Sequence, residues 1–229
     1  MSKPLCVVVG IGPKNGAAFA RRFHEAGYAI ALVSRKTDFS ATLAKELGDA
    51  KAYACDASDP ESIGETFAAI RSEMGDPDVL VYNAGSGAWK AFDDTTAKDL
   101  ENAFRVNALG MMTASQEVLP AMRKAKKGSI VIVGATASLR GKPMTTAFAA
   151  AKAAQRSLAQ SMARQFWPEG IHVSLLIVDG VIGEPGSPEV GEGKRLDPND
   201  IALAARQLTE QPRSTWTFEL DIKPKNETW

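Results

Sequence analysis

The sequence predicts an α/β fold in which helices cover both faces of a parallel sheet. Three observations carry that expectation. Short, apolar, β-rich runs alternate with helical patterns along the whole chain, the mark of repeated strand–helix–strand units. A glycine-rich turn, Gly10-Ile11-Gly12-Pro13-Lys14-Asn15-Gly16, follows the first apolar run directly and opens a helix. The size and composition, 229 residues with 45% hydrophobic and 24% charged, suit one globular domain over 1–229 and argue against disordered, fibrous or disulfide-scaffold chains.

In chain order, the first strand is Leu5–Val9, and the helix after the glycine turn runs Ala17 to Ala26 before Gly27 ends it. Tyr28–Val33 and Ala50–Ala54 follow as strands. Asp59-Pro60-Glu61 supplies an N-cap, a first helical residue and a first-turn acid, and Gly75 closes that helix. After the strand Val79–Tyr82, a helix beginning near Thr96 spaces Leu100, Phe104, Asn107 and Met111 at helical intervals, which sets Asn107 on an apolar face. It ends in Arg123, Lys124, Lys126 and Lys127, a basic run suited to a helix C-terminus. Ser129–Val133, a helix carrying Lys152, and His172–Val178 come next. Gly183 to Arg195, rich in Gly, Pro and Glu, reads as a mobile loop. Asp197-Pro198 opens the last helix, and the last strand is Thr215–Ile222. The aromatic residues from Trp216 on suit either a covered sheet edge or an oligomer contact.

Charge and motif content exclude several functions. Twenty-seven Lys plus Arg balance 27 Asp plus Glu, so no global field draws the chain to nucleic acid or an anionic membrane. The longest apolar runs fall far short of a membrane span, and the first run lacks a secretory cleavage pattern. A cytoplasmic protein with two buried, reduced thiols, Cys6 and Cys55, is expected. His24 and His172 lack metal-ligand spacing, so no metal site is expected. No GxxxxGK[ST] occurs, which removes support for a nucleotide triphosphatase.

The glycine turn is suited to a dinucleotide. Gly10, Gly12 and Gly16 let the backbone turn tightly and approach a ligand, while the N-terminus of the helix that follows attracts phosphate. Lys14 and Asn15 lie in the same turn. The second strand ends Leu32-Val33-Ser34-Arg35-Lys36, with no acid where an NAD site usually offers one. Ser34 as a donor and Arg35 as a charged partner for a 2′-phosphate favour NADP over NAD, with Lys14 adding positive charge.

Together with Tyr82-Asn83-Ala84-Gly85 after the fourth strand and Lys152 in a later helix, these residues resemble the short-chain dehydrogenase/reductase family over nearly the whole chain. The resemblance implies a seven-stranded doubly wound (Rossmann) sheet, a small-molecule substrate, and a homodimer or homotetramer. It implies that Asp56 and Ala57 border the adenine, that Asn83, Ala84 and Gly85 line the cofactor, that Lys152 holds the nicotinamide ribose, and that the Ile182 backbone meets the carboxamide.

The family's relay of Asn, Ser, Tyr and Lys is only partly matched. Asn107 and Lys152 fit, but Phe148 stands at the tyrosine position and Ala135 at the serine position, with Thr136 beside it. Asp179-Gly180-Val181-Ile182 replaces the family's Pro-Gly motif. A missing acid–base residue removes about 10²- to 10⁴-fold of rate and leaves cofactor affinity intact. Thr136, Thr145, Thr146, Asp179, a water held by Asn107 and Lys152, or the substrate itself remain as proton sources. The expected function is an NADP-dependent oxidoreductase with an altered relay; the alternative is a catalytically silent NADP-binding regulatory or assembly module.

Overall fold

A computed structural model of the chain describes residues 3–227. Seven parallel strands form one sheet in the order β3-β2-β1-β4-β5-β6-β7. They are β1 Leu5–Val9, β2 Ala29–Ser34, β3 Ala50–Ala54, β4 Val79–Tyr82, β5 Gly128–Ala135, β6 Ile171–Val178 and β7 Glu219–Ile222. The chain order reverses between β1 and β4, and the C-terminal ends of strands at such a point form a ligand crevice.

Helices cover both faces. On one face α3 (Pro60–Met74), α5 (Gly110–Ala125) and α6 (Thr146–Phe166) bury Ile63, Phe67, Met111, Val118 and Phe166 against the sheet. On the other, α1 (Asn15–Glu25), α2 (Asp38–Leu47) and α8 (Pro198–Thr209) bury Phe19, Phe23, Leu43, Ile201 and Leu208. Strands covered twice need apolar residues on both sides, and β1, β4 and β6 are buried at every position. Asp59 and Asp197 cap α3 and α8 as expected, each carboxylate accepting a backbone N–H two residues on.

Three stretches differ from the sequence expectation. The long helix after Thr96 is broken into α4 (Ala97–Phe104), a π-turn over Arg105–Leu109, and α5. The π-turn rotates the face, so Leu100 and Phe104 are partly exposed while Asn107 and Met111 are fully buried. Gly110 lets this helix approach: a Cβ there would lie 2.0 Å from the Ala57 carbonyl oxygen. The last strand begins at Glu219, not Thr215, because Gln211 captures the Thr217 N–H and the Trp216 indole while Arg213–Thr215 forms a 3₁₀ turn. Trp216 stacks on His172 at 4.8 Å. The segment 183–195 is a closed excursion containing the short α7 (Pro188–Gly191), with Leu196 N–H donating to Val181 O and Gly183 N–H donating to Leu196 O.

Candidate active site

Two connected hollows lie at the C-terminal ends of the strands and share Asn83 and Gly85. The first, about 240 Å³, is lined by Gly10–Gly12, Ser34, Arg35, Asp56, Ala57, Asn83 and Ala84. The second, about 560 Å³, holds Lys152, Phe148, Ala135, Thr136, Asp179 and Ile182.

The three glycines of the turn have separate jobs. Gly10 has φ +97, and a Cβ on it would lie 2.5 Å from Ala84 N, so the β1 and β4 ends can close only over glycine. A Cβ on Gly16 would lie 2.6 Å from Gly10 O, so α1 seats directly on the turn. Gly12 faces open space, where a ligand can approach the backbone. Asn83 fastens the arrangement by donating Nδ2–H to Gly10 O at 2.7 Å. Asn15, in the first turn of α1, lines the larger hollow with a buried Oδ1 that has no partner among the described residues.

Beyond the β2 end, Arg35 is exposed beside Asp56, whose carboxyl is held low by the Ser58 N–H and hydroxyl and, secondarily, by Arg35. Ser34 has a local role, donating its hydroxyl proton to Lys36 O at 2.9 Å. Lys14 does not line the hollow that Arg35 lines. Its ammonium pairs with Glu184 at 2.7 Å and reaches Ile182 O at 3.3 Å, tying the glycine turn to the loop after β6.

In the larger hollow, Lys152 and Asn107 converge on Gly85: a Cβ there would lie 3.4 Å from Asn107 Oδ1 and 3.8 Å from Lys152 Nζ. Asn107 is locked by Nδ2–H bonds to Ser86 O and Ala103 O, leaving Oδ1 buried and unpartnered among the described residues. Lys152 donates to Val133 O at 2.9 Å and Gln155 Oε1 at 3.0 Å. Burial pushes its pKa from an ordinary 10.5 down to about 7. An ammonium has three donors, so one remains for a ligand. Gln155, three residues on and fully buried, also donates to Asn107 O at 2.9 Å. It couples the two site residues and was not identified from sequence, although the i,i+3 spacing from Lys152 was available as a signal.

Phe148 sits on the same helix with its ring 5.8 Å from Lys152 Nζ. Trp89 packs on it at 5.3 Å, under a segment in which a Gly87 Cβ would come within 2.7 Å of Phe148. An apolar wall therefore stands beside the lysine. Across from it, Thr136 donates to Asp179, a partner that sequence could not assign. Ala135 presents only a methyl group. Of the segment after β6, Gly180–Ile182 line the hollow and residues 183–195 do not. Cys6 and Cys55 are buried free thiols, and no metal-binding cluster occurs among the described residues.

The groove fits a dinucleotide on its own terms. It offers an open glycine backbone at a helix N-terminus, an arginine at the outer end, and two orphaned amide oxygens with a spare ammonium proton at the inner end.

Known proteins match this architecture. The family model for short chain dehydrogenases matches residues 5–184. The chain is 28% identical over 221 residues to 3-oxoacyl-(acyl-carrier-protein) reductase of Bos taurus, covering 92% of this chain and 93% of that protein. It is 24% identical over 229 residues to an uncharacterized oxidoreductase of Staphylococcus aureus, covering 98% of each. Among solved structures it is similar to an alcohol dehydrogenase from the archaeon Thermococcus sibiricus complexed with 5-hydroxy-NADP, with TM-score 0.89, 26% identity and 98% of each chain covered. A metagenomic short-chain oxidoreductase in complex with NADP matches with TM-score 0.86, 25% identity and 99% of each chain covered.

Proposed function

This chain belongs to the short chain dehydrogenase family, and from that premise we propose that it is an NADP-dependent oxidoreductase acting on a small organic substrate through an altered proton relay. The observation that carries the reading is the convergence of Asn107 Oδ1 and Lys152 Nζ beside Gly85, at the point where the two hollows join. A structural relic has no need of a buried lysine and an orphaned amide aimed at one spot. The NADP complexes of the two structural relatives agree with it.

In this reading Gly10–Gly16 hold the pyrophosphate, Arg35 pairs with the 2′-phosphate, and Asp56 and Ala57 border the adenine. Lys152 and the Ile182 backbone hold the nicotinamide half. A bound nicotinamide supplies or accepts a hydride. The chain's own residues do the rest: Gln155 fixes Lys152 against Asn107, Phe148 and Trp89 keep water from one side of the cleft, and no phenol stands at the position four residues before Lys152. A catalytically silent NADP-binding module is the second reading, and Phe148 is what favours it. Calorimetric titration tests the cofactor half: NADPH is expected to bind more tightly than NADH. Equal affinities contradict it.

A further inference from the structure

A polar row stands at the ends of β5, β6 and β7, and two of its members, Thr136 and Asp179, line the larger hollow where a substrate would meet the nicotinamide. Register pairs Ala135 with Val178 and Val178 with Ile222. One residue beyond each strand end therefore stand Thr136, Asp179 and Lys223, side by side. Their side chains meet: the Thr136 hydroxyl donates to Asp179 Oδ1, and Lys223 Nζ lies 3.2 Å from Asp179 Oδ2. Arg140, from the turn after β5, comes within 3.5 Å of the same oxygen.

Asp179 is 3% exposed. Burial acting alone would raise its carboxyl, but the bonds from Thr136 and Lys223 and the charges of Lys223 and Arg140 outweigh it and hold the pKa below the ordinary value. An ionised carboxylate only accepts hydrogen bonds, and a threonine hydroxyl has one proton to give. Thr136 gives that proton to Asp179. Toward the cleft that both residues line, Thr136 therefore offers lone pairs and no donor. Such a group turns away a ketone oxygen and accepts a hydroxyl.

We propose that Thr136 accepts the hydroxyl hydrogen of an alcohol substrate and passes its own proton to Asp179, so that the pair is the base of an alcohol oxidation; this rests on the NADP-dependent hydride transfer proposed for the same cleft. The carbon-bound hydrogen leaves with two electrons as hydride to the oxidised nicotinamide dinucleotide. The O–H bond breaks, its proton goes to Thr136 Oγ1, and the Thr136 proton goes to Asp179 Oδ1. The alcohol becomes a carbonyl compound, the dinucleotide is reduced, and Asp179 releases one proton to solvent. The other charged groups near the row are Asp221, which shares Lys223, and Lys142, Lys152 and Glu227, which line the same cleft. Trp89 and Phe148 supply an aromatic wall, so a secondary alcohol bearing a ring is the class expected.

The matched probes 1-phenylethanol and acetophenone test the assignment by ligand-observed NMR on the full chain without added cofactor. The alcohol is expected to bind about fivefold more tightly, the worth of one neutral hydrogen bond. Asp179→Asn can return a donor to Thr136, so the preference is expected to vanish or reverse; Thr136→Val is expected to abolish it and Thr136→Ser to keep it. With NADP added, oxidation of 1-phenylethanol by Asp179→Asn is expected to fall about 10²- to 10⁴-fold. If Asp179→Asn fails to fold, Thr136→Val against Thr136→Ser decides. Equal affinities in the wild type, or a preference that survives Thr136→Val, overturn the assignment. A wild type that prefers the alcohol but binds no NADPH supports the hydroxyl subsite and overturns the proposed function. One that binds NADPH without the preference overturns the subsite alone.

Discussion

Replacing Lys152 by methionine separates what the lysine does for the site from what it costs the fold. The folded chain holds this ammonium at a pKa of about 7, against an ordinary 10.5, because the group is fully buried. Between those values the unfolded chain is protonated and the folded chain is not, so unfolding takes up a proton and stability rises with pH. Below about pH 7 both states are protonated and the full penalty applies. Integrated from pH 7 to pH 9, the shift is worth about 2 kcal/mol of added stability in the wild type. Lys152→Met removes that dependence. It also leaves Val133 O and Gln155 Oε1 without the lysine as partner, which lowers the whole curve by a pH-independent amount. The assay is urea unfolding of both proteins across that pH range, with their difference taken so that other titrating groups cancel. The difference is expected to grow in favour of the wild type by about 2 kcal/mol from pH 7 to 9. Parallel stability curves would refute a lysine held near neutrality by burial.

Three further outcomes are expected. Arg35→Ala removes the preference for NADPH over NADH in calorimetry while leaving NADH affinity unchanged, because Arg35 lies at the outer end of the groove. Phe148→Tyr places a phenol near Lys152, whose ammonium is 5.8 Å from the present ring centre. Carbonyl reduction is expected to rise by up to about 10²- to 10⁴-fold, read as NADPH consumption, and an unchanged rate contradicts the expectation. Gly110→Ala drives a methyl group to within 2.0 Å of the Ala57 carbonyl oxygen. Overpacking against backbone typically costs about 1–3 kcal/mol, so the Tm is expected to fall by several degrees; an unchanged Tm contradicts it.

The sheet was readable because strands buried on both faces are continuous apolar runs, and six of the seven expected strand spans fall within a residue or two of those found. β7 was overextended because Thr215, Trp216 and Thr217 have strand-like side chains whose polar atoms answer instead to Gln211. The π-turn at Asn107 was invisible to a 3.6-residue period, since its signal is one extra residue within an otherwise regular helix. The glycine turn, Asn107 and Lys152 were picked out from motif and order, and the structure brings them around the two hollows. The Lys14 contact with Glu184 was not legible, because sequence proximity to the turn says nothing about which way a long side chain reaches, and Glu184 lies far along the chain. Asp179 was visible only as one of several possible proton sources, and its pairing was not, because its partners Thr136 and Lys223 adjoin it only through strand register.

The central claim is that this cleft transfers hydride and is more than a binding groove. The measurement that tests it most directly is deuterium transfer between carbinol-deuterated secondary alcohols and NADP, followed by mass spectrometry of the dinucleotide. A companion reaction runs from deuterated NADPH to a panel of carbonyl, enoyl and imine acceptors. Label is expected to move in the wild type and to be lost in Lys152→Met. Tight NADPH binding with no label transferred to or from any member of the panel would contradict the claim and identify the chain as a silent binder.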